Sequence, residues 1–270
     1  MRKVVLSLSL IMLLLMFIGI GHAKIDPNSI AAYWKFNEGV GGTAYDSSKN
    51  ENHGRIINAE WVEGIEGKAL SFPDGAFVEV PNSKSLDITE ELTVSAWIKV
   101  IHQGLQVIIG KDDDTSERSW HFGITDEGGA PPGKLRFTTF PGHITTLGGK
   151  NGTVATDSWT FVAATFDGKK IKLYSDCALD GMGKTDEGPL TSIEEPVKIG
   201  VMDETNGGHW WFRGAIDEVA IFNKALNKAD LKKIMENGLE DVLSDAMPAP
   251  PTFGSIHRLS TTWGDIKHRY

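Results

Sequence analysis

Cysteine is almost missing from this chain: Cys177 is the only one in 270 residues. No internal disulfide can form, so stability has to come from a buried core or from bound metal. No histidine neighbours Cys177 in sequence, and its place suits a small residue in or near a loop rather than a nucleophile. Several chemistry-bearing motifs are absent as well. There is no His-Glu-x-x-His, no Cys-x-x-Cys and no Gly-x-Ser-x-Gly, which removes the common zinc-hydrolase and nucleophile-elbow signatures. Gly39, Gly41 and Gly42 precede no helical pattern, so they do not make a phosphate loop. Positive charge is in deficit, with 27 Lys and Arg against 36 Asp and Glu and a net charge of -9, which argues against a nucleic-acid partner. The balance suits a soluble surface, or carboxylates gathered around cations.

Long apolar runs are scarce too, and the one present opens the chain. Arg2 and Lys3 precede an apolar run over 4–20, and Gly21, His22 and Ala23 follow as a small-residue cleavage site. That is the order of a secretory signal, so the sequence predicts a signal peptide over 1–23 and an exported mature chain. An uncleaved anchor is the alternative, since about 17 to 25 apolar residues span a bilayer; the Gly19, Gly21 and Ala23 flank favours cleavage. Position 24 is lysine, so the lipid-bearing cysteine of a lipoprotein is missing, and no later stretch could span a membrane. Residues 24–240 suit one all-β domain, because sandwiches of about 200 to 250 residues form single units. From 241 the composition changes: Pro248, Pro250 and Pro251 mark a stiff linker, and a short basic tail runs to 270.

What the chain has in quantity is alternation. Leu92, Val94, Ala96, Ile98 and Val100 alternate with Thr93, Ser95, Trp97 and Lys99, which predicts a strand with one face in the core and Trp97 opposite it. Ala32, Trp34 and Phe36 share one face of an earlier strand, and Tyr33 and Lys35 the other. Further strands are predicted over 77–80, 106–110, 120–124, 135–139, 159–166, 171–175 and 197–201, enough for two packed sheets. Asp167-Gly168 suits a tight hairpin. One helix is predicted after the last strand, with Asn227 as cap, Asp230 as its partner, Leu226 and Leu231 as a staple, and Gly238 as stop.

Two distant segments carry a family resemblance. Trp34-Lys35-Phe36-Asn37-Glu38-Gly39 with Asp46-Ser47-Ser48, and Gly214-Ala215-Ile216-Asp217-Glu218-Val219-Ala220-Ile221-Phe222, resemble the opening and closing strands of a LamG-like, concanavalin A-like domain. The hairpin over 159–174 is similar to that family as well, although its relatives run from the tyrosine almost directly into a second Asp-Gly turn. Here 175–179 intervenes before Asp180-Gly181, which reads as a local insertion or bulge. The resemblance implies an antiparallel two-sheet β-sandwich, a jelly roll, with one short C-terminal helix. Most such modules bind sugars or proteins, some hold calcium, and a minority are enzymes.

Candidate residues follow. If the resemblance holds, Asp217 lies toward Asp46, and with Asn37 and Glu38 the two chain ends could close a structural calcium site, a hard cation satisfied by about six to eight oxygens. The competing reading makes Asp46 an Asx-turn with its serines and Asp217 the cap of a buried turn. Asp112, Asp113 and Asp114 point in alternating directions and suit a solvated hairpin tip. For a sugar, Trp210 is the first stacking platform, with His209 and Asn206 in the same glycine-bearing loop supplying polar contacts. Trp97 and Trp120, with His121, rank behind it as lining for one sheet face. The Glu-x-Asp-x-x-Glu run of laminarinase-type relatives is absent, and Asp217-Glu218 are adjacent, so they cannot replace it on a regular strand. The function expected is a non-catalytic module for carbohydrate or a glycosylated partner. A protein-adhesion module without sugar affinity and a polysaccharide hydrolase or lyase are the alternatives.

Overall fold

The computed structural model describes residues 25–102, 104–112, 118–125, 133–140, 145–150, 154–185, 188–203 and 208–244. The predicted signal, the Pro-rich linker, the tail and Asn206 lie outside them.

Alternation becomes two antiparallel sheets packed face to face. One, the back sheet, orders β14 (Ala178–Lys184), β13 (Lys170–Ser175), β12 (Trp159–Phe166), β7 (Leu92–Val100), β16 (Gly214–Phe222), β5 (Lys68–Phe72) and β4 (Glu60–Glu63), with β1 (Ile30–Trp34) also paired to β16. The front sheet orders β11 (Thr145–Gly148), β10 (Lys134–Thr139), β9 (Arg118–Thr125), β8 (Gln106–Asp112), β15 (Val197–Ile199), β6 (Phe77–Val80), β3 (Gly54–Ile57) and β2 (Thr43–Ala44). The five apolar residues predicted inward on β7, with Ala32, Trp34 and Phe36, join the core between the sheets. Trp34 is fully buried, and its indole N–H donates to the Asn52 carbonyl at 2.8 Å.

The domain closes on itself. β1 runs against β16, Trp34 opposite Val219 and Tyr33 opposite Ala220, so the two segments that carry the resemblance are neighbouring strands. β16 bulges between Asp217 and Ala220, where Glu218 takes a φ of 50°. The β12–β13 hairpin turns on Asp167, whose Oδ1 accepts from the backbone N–H of Lys169 and Lys170 at 3.1 and 2.8 Å. The next connection bears out one half of the sequence reading, a bulge, and corrects the other, an insertion. Ser175 pairs with Ala178, and Asp176 and Cys177 take φ of 45° and 58°, the two positive values of a tight two-residue hairpin turn. Residues 175–179 therefore turn directly into β14, and Asp180-Gly181 lies within that strand; the irregularity is a register shift at Leu173/Tyr174. Burial, with Asp176 beside it, pushes the Cys177 thiol up to about 11.

The helix α1 (Lys228–Ser244) starts as its caps dictate. Asn227 Oδ1 accepts from the N–H of Ala229 and Asp230 at 2.8 and 3.1 Å, and its amide donates to Asp230 at 2.6 Å. At the predicted stop, Gly238 breaks the helix with φ 72° and ψ 157°, and helical turns resume over 239–244. Leu231, Ile234 and Leu239 pack with Phe161, Tyr174 and Phe222 in a second core cluster on the outer side of the back sheet. The helix thus covers that face. Among the described residues no helix is long and apolar enough to cross a membrane.

Candidate functional site

With the back sheet covered, the outer face of the front sheet is the place where polar and aromatic groups converge. Trp120, Phe122 and Ile124 of β9 enter the core. The period of two therefore turns Ser119, His121, Gly123 and Thr125 outward. His121 lies between Gly110 of β8 and Thr138 of β10. Neither Gly110 nor Gly123 puts a side chain on this face, and a Cβ at Gly123 would stand 2.1 Å from the Gln106 carbonyl oxygen. A register shift on β8 sets Asp112 opposite Arg118. Asp112 is buried, and its carboxylate accepts from His121 Nδ1 at 2.7 Å and Arg118 Nε at 3.2 Å.

Over these residues lies Trp210. Its backbone N–H donates to the Met202 carbonyl at 2.9 Å, and its carbonyl accepts from Val107 at 3.2 Å, so the chain is pinned along the sheet before β16 begins. The indole meets His121 edge-on at 5.8 Å, and the Arg136 guanidinium sits 5.3 Å from the indole centroid. Arg118 covers Phe140 in the same way at 4.3 Å. Cations over aromatic faces are attracted by the ring quadrupole, by about 0.5 to 1 kcal/mol at exposed sites. Next to this group, His209 Nδ1 bonds Asp203 at 2.7 Å and its ring lies 4.8 Å from Trp211, while Lys198 also pairs with Asp203. Trp211 in turn leans on Phe77 at 6.2 Å.

The electrostatics follow from burial. Burial holds the His121 imidazole below its usual range, against the pull of Asp112 and with Arg136 and Arg118 adding to the effect. The ring is therefore neutral near pH 7, and because a carboxylate only accepts, Nδ1 carries the proton. Nε2 is then an acceptor, buried and without a hydrogen-bond partner among the described residues. Such an orphan costs about 1 to 3 kcal/mol unless water or a ligand hydroxyl serves it. At Asp203, desolvation works against the charge, but bonds from Lys198 and His209 outweigh it and hold the carboxyl below its ordinary value.

The sequence candidates divide. Trp210 and His209 stand in this cluster. Trp120 does not: it is 1% exposed and packs with Phe137 inside the sandwich, because it shares the inward face of β9 with Phe122 and Ile124. Trp97 does not either, since β7 belongs to the back sheet, where the indole packs against Phe161 beneath α1. Phe212 is core, edge-on to Phe72. Asp112, read as a solvated tip, is instead the buried anchor of His121. Sequence reasoning missed Arg118, Arg136 and Phe140 as members; the alternation of Arg136 between inward Leu135 and Phe137 was the available signal.

The acidic candidates are not brought into one ligand set. Asp46 organises its own loop: Oδ1 accepts from the N–H of Tyr33 and Ser48 at 2.9 and 2.8 Å, and Oδ2 from Ser48 Oγ and the Asn52 N–H at 2.7 and 2.9 Å. Glu38 accepts from the Tyr45 N–H at 2.7 Å and Asn37 from the Lys68 N–H at 2.7 Å. Asp217, fully buried, accepts from the N–H of Ile65 and Glu218, both at 2.9 Å. Gly64 permits that approach, since a Cβ there would meet Asp217 Oδ2 at 2.4 Å. The Asx-turn and turn-cap alternative describes both aspartates. Among the described residues, no three His, Cys, Asp or Glu side chains converge as a metal set.

This chain belongs to the concanavalin A-like lectin/glucanase superfamily: a family model of that description, of laminin G type, matches residues 72–232. Solved structures agree on the fold. Domain 4 of AbnA, a GH43 extracellular arabinanase from Geobacillus stearothermophilus solved with arabinotriose, is 18% identical with a TM-score of 0.61, over 76% of this chain and 98% of that one. The binding domain of Paraclostridial Mosquitocidal Protein 1 is 14% identical with a TM-score of 0.62, over 77% of this chain and 52% of that one. The ligand-binding domain of botulinum neurotoxin serotype D, solved with N-acetylneuraminic acid, is 19% identical with a TM-score of 0.57, over 78% and 51%. The chain thus spans about half the length of these toxin domains. No curated protein matches it significantly.

Proposed function

We propose that this chain is an exported, non-catalytic carbohydrate-binding module whose site is the outer face of the front sheet. The observation that carries the reading is the cluster of Trp210, Arg136, His121 and Asp112: a ring able to stack on a sugar, cations beside it, and a buried acceptor whose tautomer is fixed from below. Flat aromatic faces with a few placed polar groups are what a sugar's alternating apolar and hydroxyl surfaces require. Similarity to domains solved with arabinotriose and N-acetylneuraminic acid supports the same class of ligand here. The carboxylates described on this face are each tied into an ion pair, Asp112 with Arg118, Asp203 with Lys198 and Glu79 with Arg55, which speaks for binding over two-carboxylate hydrolysis.

The test is a glycan-array screen of residues 24–270, with polysaccharide cleavage products assayed in the same wells. Trp210→Ala should weaken binding of any glycan found by about tenfold or more, the scale of losing one aromatic stack, with no change in thermal midpoint. Trp97→Phe, beneath the helix, should leave binding as it was. Equal binding by the Trp210 variant rejects the platform, and released products overturn the non-catalytic reading.

A further inference from the structure

A second constellation lies on the opposite side of the molecule, where α1 breaks over the bulge of β16. Beneath Gly238 is a cavity of about 60 Å³ lined by Tyr33, Lys35, Glu66, Glu218, Asn237 and Glu240, among others. A cleft of about 270 Å³ adjoins it, lined in part by Glu66, Glu218 and Trp97. The positive φ of Glu218 aims this carboxyl away from the sheet ladder, and the Tyr33 hydroxyl donates to it. Most of the charge around it is of the same sign. Glu66 comes from the turn after β4, Glu240 and Asp241 from the helix, and Asp217 is its neighbour on β16. Lys35 is the one cation lining the cavity, and it is engaged by Glu240 at 3.1 Å.

We propose that this cavity is a proton-operated latch: residues 239–244 lie over Glu218 while its carboxyl holds a proton, and lift away when it ionises against Glu66 and Glu240. Three sides of the cavity are anchored to the sheet. Tyr33 and Glu218 sit on paired strands, and the turn of Glu66 is tied to buried Asp217 through the Ile65 N–H. The fourth side can move. It begins at the Gly238 break and is held by buried Leu239, half-buried Val242 and Leu243, and the largely exposed end of the Lys35–Glu240 pair. Burial, against the pull of Tyr33 and with Glu66 adding to it, raises the Glu218 carboxyl from 4.5 to about 7. A raised carboxyl means that the closed state holds the proton. Closure is therefore favoured below the ordinary carboxylate range, weakens as pH rises toward 7, and is flat above it. Each unit of displacement is a factor of ten, so closure loses at most about three hundredfold across that window.

Hydrogen exchange, corrected for intrinsic rates and followed on residues 24–270 at about pH 5.5 and about pH 8, tests this. Protection over 239–244 should fall about tenfold or more relative to β7 and β12, and Glu218→Gln should keep that protection at the higher pH. Exchange over 239–244 that tracks β7 throughout, or a Gln variant that opens like the parent, overturns the latch. If the variant does not fold, the carboxyl ¹³C titration of Glu218 in the parent chain decides. A midpoint near 7 that coincides with the loss of protection supports the latch, and an ordinary midpoint, or protection lost at a different pH, overturns it. Glycan binding enters neither readout.

Discussion

Asp46→Ala is expected to cost about 4 kcal/mol of folding stability, and the same amount in calcium as in chelator. Its carboxylate accepts from three backbone N–H groups and one hydroxyl, all between 2.7 and 2.9 Å, at a site only 7% exposed. Hydrogen bonds to a charged acceptor contribute about 1.5 to 3 kcal/mol each, and removing the acceptor leaves buried donors that cost about 1 to 3 kcal/mol apiece. These terms are not additive, but even half their sum is a large share of the roughly 5 to 15 kcal/mol that holds a domain folded. Asp46→Asn should lose less, because one carbonyl oxygen still serves Tyr33 and Ser48 while the amide faces the Asn52 N–H. Urea unfolding with calcium and with EDTA measures both variants. If chelator alone lowers the parent's stability to that of Asp46→Ala, a structural ion at Asp46 replaces the turn reading.

The second large effect is in pH. Burial raises the Asp217 carboxyl from 3.8 to about 7, although the N–H groups of Ile65, Glu218 and Glu66 pull it down and the Glu218 charge pushes it further up. The folded state therefore binds a proton that the unfolded chain releases near 4. Stability from this group is fully present below that value and is lost as pH rises through about 7. At about 1.4 kcal/mol per unit, Asp217 contributes at most about 4 kcal/mol of decline, with Glu218 adding to the same window. Thermal midpoints should thus be higher near pH 5 than near pH 8, which reverses the usual behaviour of paired aspartates. Asp217→Asn should flatten the slope, and because an amide nitrogen accepts no hydrogen bond, the N–H of either Ile65 or Glu218 loses its acceptor and stability at acid pH should fall as well. A profile that is flat or rises between those two values in the parent chain removes the argument.

Much of the architecture could be read from residue order because it rests on local rules. β7 carries a period-two pattern end to end, so its bounds and inward face were legible, whereas β12, buried on both faces, was legible only in its bounds. The cap at Asn227 was legible for the same reason, since it depends on residues three apart; Gly238 was read as the stop, but helical turns resume beyond it. What escaped reading depends on partners far away. Alternation separates Trp97 from Ala96 and Ile98, but it does not say that a helix more than a hundred residues later covers that face. Trp120 shares its face with Phe122 and Ile124, so its inward role was in the pattern, yet an indole is equally at home on a sugar and in a core. The pairing of Asp112 with His121 hangs on a register shift in β8, and bulges follow from sheet twist and packing rather than from composition. The two-residue turn at Asp176-Cys177 was missed because cysteine is a rare occupant of a positive-φ position.

The helix over the back sheet also gives the domain a direction. The Trp210 cluster opens on the front, whereas the chain leaves the last described turn, at Ser244, on the side where α1 packs. Anything joined at Ser244 would start on the side away from the proposed ligand site. On the proposed function, a molecule built this way could be tethered to a surface or strung in tandem with copies of itself while the Trp210 cluster stays unobstructed. The strength of such an array is set by spacing and number, because a second engagement follows the first at an effective concentration that the tether length determines.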